Sequence, residues 1–120
     1  MARILFIDDD ILTLETYEKI ASYFGHEAFL ADSGAKAIKM ARKNSVDLIL
    51  LDRQLQDMDG FQILKEIRNM DVPLEVPVVM VSASHSGFAD RAVAEGAQEF
   101  LSKPLLTDDL LELVEKYTSG

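Results

Sequence analysis

Five times along its 120 residues the chain repeats one unit, a short apolar run followed by a longer segment of helical spacing. The runs are Ile4-Leu5-Phe6-Ile7, Ala28-Phe29-Leu30, Leu48-Ile49-Leu50-Leu51, Val78-Val79-Met80-Val81 and the weaker Phe100-Leu101. Between and after them lie five stripes: Leu14, Tyr17, Ala21 and Phe24; Ala37, Ile38 and Ala41; Phe61, Ile63, Leu64 and Ile67; Ala89, Ala92, Val93 and Gly96; and Leu110, Leu111, Val114 and Tyr117. Each stripe predicts an amphipathic helix. Strands that alternate with helices pair in parallel through crossovers, which is an α/β architecture. Runs one, three and four are continuously apolar, as parallel strands covered on both faces must be. Runs two and five are diluted by His26, Glu27, Gln98 and Glu99, which suits sheet edges. The expected fold is therefore α/β, a doubly wound five-stranded parallel sheet in the order 2-1-3-4-5, built by residues 1–120 as a single domain.

Helix ends are marked in the sequence. Ser33 precedes the second helix as a cap, and Arg42, Lys43 and Asn44 suit its carboxyl end. Thr107 is expected to cap the fifth helix, with Asp108 and Asp109 in its first turn. Pro73 and Pro77 bracket a loop before the fourth strand.

Composition excludes several functions. Twelve lysines and arginines stand against 21 aspartates and glutamates, a formal charge of -9, whereas phosphate contacts to nucleic acid need clustered cations. No apolar run approaches the roughly 18 residues of a membrane-spanning helix. Met1-Ala2-Arg3 lacks the pattern of a signal peptide, so a cytoplasmic location is expected. Without cysteine there is no disulfide, thiolate nucleophile or cysteine-ligated zinc. His26 and His85 form no triad and read as surface residues.

The chemistry gathers at the strand ends. In the order 2-1-3-4-5 the winding reverses between strands one and three, and ligands of open α/β sheets bind there, beyond the carboxyl ends. Strand one ends in Asp8-Asp9-Asp10, strand three in Asp52, strand four in Ser82 and strand five in Lys103-Pro104. Two carboxylates about 4 Å apart repel by about 4 kcal/mol at an effective dielectric near 20, so such a cluster calls for a cation or for protonation. With only oxygen donors present, a hard divalent ion such as magnesium fits. Lys103 and Ser82 complete a pocket for a tetrahedral anion. One of the three consecutive aspartates caps the next helix, Asp57 and Asp59 read as loop and cap residues of the third helix, and Gly60 as relief of a backbone constraint at its start.

These strings, Ile4-Leu5-Phe6-Ile7-Asp8-Asp9-Asp10, Asp47-Leu48-Ile49-Leu50-Leu51-Asp52 with Asp57-Met58-Asp59-Gly60, Pro77-Val78-Val79-Met80-Val81-Ser82-Ala83, and Gly96-Ala97 followed by Phe100-Leu101-Ser102-Lys103-Pro104, resemble the response-regulator receiver domain of two-component signalling over essentially the whole chain. The resemblance implies a flavodoxin-like (βα)5 fold of the CheY type, working as a phosphorylation-activated switch rather than an enzyme. It implies that Asp52 is the phosphoacceptor, taking its phosphoryl group from a sensor histidine kinase or a phosphotransfer protein. Asp9 would ligate Mg2+ directly, Asp8 mostly through water, and Gln54 through its backbone carbonyl. Ser82 matches the switch hydroxyl, Lys103 the phosphate-pairing lysine and Phe100 the switch aromatic. The Lys103-Pro104 peptide would be cis.

The same resemblance makes helix four, strand five and helix five the face that meets an effector domain or protein, with Ser84-His85-Ser86-Gly87 as a mobile connection. Gln56 stands where many receivers have proline, Ser82 where threonine is commoner and Leu105 where phenylalanine often lies; none removes a group the mechanism needs. Two alternatives remain at this point. One is a magnesium-dependent phosphatase of haloacid dehalogenase type, with Asp8 as nucleophile and Asp10 as acid/base, although Leu12 replaces the threonine that site requires. The other is a receiver that acts as an unphosphorylated scaffold. Flavin binding lacks a phosphate-cradling loop after strand one.

Overall fold

The computed structural model describes residues 1–70, 75–83 and 87–118. Pro73 and the Ser84-His85-Ser86 part of the expected mobile connection lie outside the described residues. The elements run β1 (Arg3–Ile7), α1 (Ile11–Tyr23), β2 (Glu27–Ala31), α2 (Gly34–Lys43), β3 (Leu48–Asp52), α3 (Gly60–Arg68), β4 (Val78–Ser82), α4 (Ala89–Ala94), β5 (Glu99–Ser102) and α5 (Thr107–Thr118). All strand pairs are parallel, in the expected order β2-β1-β3-β4-β5.

The two-residue period of a strand divides the core into two layers. Leu5, Ile7, Ile49, Leu51, Val78 and Met80 point to one face, where Ala37 and Ala41 of α2, Phe61, Ile63, Leu64 and Ile67 of α3 and Ala92 of α4 cover them. Ile4, Phe6, Leu48, Leu50, Val79 and Val81 point to the other, under Leu14, Tyr17 and Ala21 of α1 and Leu110, Leu113 and Val114 of α5. The three central strands are thus buried on both sides, which is why their sequences do not alternate. The edge strands β2 and β5 are only partly buried.

Three expected stripes are corrected. Phe24 is the C-cap of α1 and remains 46% exposed. In α4 only Ala92 is buried; Val93 is 57% exposed and Gly96 lies beyond the helix. Gly96 (φ +111°) and Gly25 (φ +83°) take the left-handed conformation that lets the chain close a helix and turn back. In each case the next N–H returns to the last helical turn, Ala97 to the Ala92 carbonyl and His26 to the Ala21 carbonyl. In α5 Leu113 is buried where the stripe named Leu111, and Leu111 and Tyr117 are half-buried.

Caps are shared out differently from expectation in two places. Asp10, Ser33 and Asp59 cap α1, α2 and α3 as read. Thr107 is instead the first residue of α5, and the Leu106 N–H before it donates to the Asp109 carboxylate at 2.9 Å. Asp57 serves α2, not α3: its two oxygens accept the Gly34 and Ala35 N–H groups at 2.8 and 3.1 Å. His26 is half-buried, and its Nδ1 accepts the Ala2 N–H at 3.0 Å, so it is not a bare surface residue.

Candidate functional site

Pairing register brings the chemical residues to one level. Leu51 lies beside Ile7, so the residues that follow, Asp52 and Asp8, leave adjacent strands together. Ser82 is the last residue of β4, and its carbonyl accepts the Lys103 N–H at 2.9 Å. Asp8, Asp52 and Ser82 are the buried polar residues among those described, at 1%, 7% and 3% exposure, while Asp9 stands exposed beside them.

The side chains meet. Lys103 Nζ lies 2.6 Å from Asp8 Oδ2 and 3.2 Å from Asp52 Oδ2. Asp8 Oδ1 also accepts the Asp10 N–H at 2.9 Å, which folds the strand end back over the carboxylate. Burial and then the Asp8 charge push the Asp52 carboxyl above its ordinary value, against the opposing pull of Lys103. Burial alone would lower the Lys103 pKa, but its hydrogen bond to Asp8 and the charges of Asp52 and Asp8 outweigh it and hold the ammonium above the usual lysine value.

One oxygen from each of Asp8, Asp9 and Asp52 lies within 4.8 Å of the others, close enough to share an ion. Oxygen-only donors and at least two buried carboxylates fit a small hard dication better than a soft or borderline metal. Gln54 lies in the exposed loop after β3, its N–H 3.5 Å from Asp52 Oδ1, and bridges to Asp59 across that loop. Phe100 is half-buried on β5, 6.3 Å from the Phe88 ring. The Lys103-Pro104 peptide is cis, as the resemblance implied.

Two neighbours were not singled out from the sequence. Arg53, one residue past Asp52, donates from Nε to Ser82 Oγ at 3.2 Å and stacks its guanidinium 4.4 Å from the centre of the Phe88 ring. Phe88, directly before α4, lies between Phe61 and Phe100. Neither belongs to a periodic stripe, so no local pattern marks them. Gly60 also has a different reason from the expected one. A Cβ there would lie 2.5 Å from the Asp52 carbonyl oxygen and 2.8 Å from Arg53 Cα, so its bareness lets α3 start against the end of β3.

Residues 4–115 match the family model of the response regulator receiver domain. The chain belongs to the response regulator receiver domain family. This receiver is 34% identical over 113 residues to the transcriptional regulatory protein ZraR of Escherichia coli (strain K12), covering 94% of this chain and 25% of that protein. It is 26% identical over 115 residues to the polar-differentiation response regulator DivK of Brucella abortus (strain 2308), covering 95% and 94% of the two chains. The receiver spans 6% of the length of the hybrid signal transduction histidine kinase B of Dictyostelium discoideum and 94% of that of DivK. A two-component response regulator of Clostridium difficile superposes with a TM-score of 0.91 at 28% identity, over 99% of this chain and 97% of that one.

Receiver domains are regulatory modules of two-component response regulators, and among the described residues no helix of this one is long and apolar enough to cross a membrane. Asp10, the acid/base of the phosphatase alternative, is engaged as the α1 cap: its carboxylate accepts the Leu12 N–H at 3.2 Å and the Thr13 hydroxyl at 2.7 Å.

Proposed function

We propose that this receiver is a phosphorylation-controlled switch in which Asp52 accepts a phosphoryl group from the phosphohistidine of a sensor histidine kinase or phosphotransfer protein. The observation that carries the reading is the meeting of Asp8, Asp9, Asp52 and Lys103 at the point where the sheet reverses its winding. In the step, an Asp52 carboxylate oxygen forms a bond to phosphorus as the phosphorus–nitrogen bond breaks, and the imidazole nitrogen keeps the electron pair.

Two anions must approach for this to happen, and the site is built to offset their repulsion. Magnesium held by Asp8, Asp9, Asp52 and the Gln54 carbonyl would supply positive charge there. Lys103, already paired with both buried carboxylates, is placed to pair with a phosphoryl oxygen once Asp52 carries one. The phosphoryl group adds a charge of about -1.5 to -2 together with new acceptor oxygens. Ser82 at the end of β4 and Phe100 on β5 are the residues through which that change would reach α4, β5 and α5, the face offered to an effector domain or protein. Such a module regulates rather than catalyses. At most it labels itself from small donors and loses the group slowly. With its charge of -9 it makes no nucleic-acid contact of its own, and it works in the cytoplasm beside its kinase.

Incubation with radiolabelled acetyl phosphate and magnesium tests the assignment. The wild-type chain should take up label and Asp52→Asn should lose it. Label persisting at the wild-type rate in Asp52→Asn would place the acceptor elsewhere.

A further inference from the structure

Arg53 is held at both ends of its peptide. Its N–H donates to the Val81 carbonyl at 2.9 Å, and its carbonyl accepts the Gly60 N–H at 2.6 Å. Its Cα is therefore tied to β4 on one side and to the start of α3 on the other, and what remains adjustable is the side chain. From this fixed base the guanidinium touches two partners of different kinds. Nε donates to the buried Ser82 hydroxyl, 29 residues away in sequence. The planar group also lies over Phe88, whose carbonyl accepts the Ala92 N–H and so begins α4. Among the described residues no side-chain hydrogen bond caps that helix, and the stacking of Arg53 bears on its N-cap residue. The Phe88 ring in turn neighbours Phe100 at 6.3 Å and Phe61 at 5.9 Å.

We propose that Arg53 is a positioning residue that holds the Ser82 hydroxyl in the unphosphorylated state and carries its displacement to Phe88 and the first turn of α4. The inference rests on the phosphorylation reading above and names a regulator of that same site. When a phosphoryl group on Asp52 draws the hydroxyl towards its oxygens, the Nε–Oγ bond stretches or the guanidinium follows. Either response disturbs the stacking on Phe88. Arg53 thus restrains the resting state, and a chain without it reaches the activated arrangement more easily. A lysine does not substitute, because its ammonium has neither the planar stacking surface nor a donor at the Nε position.

The experiment uses beryllofluoride with magnesium as a stand-in for the phosphoryl group on wild type, Arg53→Ala, Arg53→Lys, Ser82→Ala and the double variant Arg53→Ala/Ser82→Ala. Affinity is read by calorimetry and the amide resonances of Ala89 to Ala92 by NMR. Losing one hydrogen bond that is long, at 3.2 Å, and only partly buried should tighten binding roughly three- to tenfold in Arg53→Ala. Arg53→Lys should follow Arg53→Ala, and in the Ser82→Ala background removal of Arg53 should change nothing. The α4 resonances of unliganded Arg53→Ala should move towards their positions in beryllofluoride-bound wild type. Unchanged or weakened binding in both Arg53 variants, wild-type behaviour of Arg53→Lys, or an undiminished effect in the Ser82→Ala background each overturns the proposal. Wild-type protein that does not take up beryllofluoride at Asp52 would instead sink the phosphorylation reading, and this inference with it.

Discussion

At Asp52 burial and the neighbouring Asp8 carboxylate both oppose ionisation, and Lys103 only partly compensates. A carboxyl whose folded pKa is raised contributes stability that is present below its ordinary value and lost as pH rises through the folded one. At neutral pH without a divalent ion, the charged Asp52 therefore strains the fold, and Asp52→Asn should melt higher than wild type in chelator. Each kcal/mol relieved shifts the midpoint of a chain this size by about 3–6 °C. A lower midpoint would mean that the ionised carboxylate is a net stabiliser through Lys103. Asp57 has the opposite sign. The N–H groups of Gly34 and then Ala35 hold its carboxyl below the ordinary value of 3.8. Its contribution is present above that value and disappears as pH falls through the lower, folded one. The gap in urea midpoint between wild type and Asp57→Ala should stay constant from neutral pH towards 4 and close in stronger acid. A gap that ignores pH would show that the loop is fastened by packing rather than by charge.

Elements in this molecule are short, and their junctions set the site. The loop from β3 to α3 folds back on itself, so Gly60 at the start of α3 backs directly on the Asp52 and Arg53 backbone. Backbone atoms cannot move aside as a flexible side chain does. Gly60→Ala should therefore lose about 2–3 kcal/mol, read as a lower urea midpoint with an unchanged slope. A neutral substitution would show that the β3–α3 loop shifts freely. Helix α4, at six residues, offers the core only Ala92, so most of its surface is available to respond to its neighbours. Arg68, at the end of α3, works in the other direction. Its guanidinium donates to the carbonyls of Val76 and Gly96 and to Gln98 Oε1, fastening the loops that flank β4 and β5. Glu99 similarly accepts from Lys116 and Tyr117, joining the edge strand β5 to α5.

Across the whole molecule, the sheet carries its charge problem at one end. The chain has a net charge of -9, and the Asp8–Asp9–Asp52 cluster concentrates part of it where two central strands stop. An ion that binds this arrangement and not the unfolded chain stabilises the entire fold by mass action, about 2.7 kcal/mol at a hundredfold excess over Kd. Millimolar magnesium should raise the melting midpoint by several degrees above sodium at matched ionic strength, and Asp52→Asn should reduce the gain. Equal midpoints in magnesium and in chelator would count against the ion site.

The strand order, the two edge strands and the covered centre were legible in the chain because burial of a strand leaves a local signature, apolar continuity at the centre and polar dilution at the edges, within about five residues. The convergence of Asp8, Asp9, Asp52 and Lys103 was legible for a related reason: strand ends are fixed by those same runs, and a parallel sheet brings its carboxyl ends together. What only the tertiary structure decided are contacts between residues 22 to 30 apart: Asp57 on the amino end of α2, Arg53 on Ser82, and Arg68 on Gly96 and Gln98. No periodicity encodes these. A side chain that reaches from one element to cap or brace another is placed by how far apart packed layers come to rest, and that distance exists only after the core has formed.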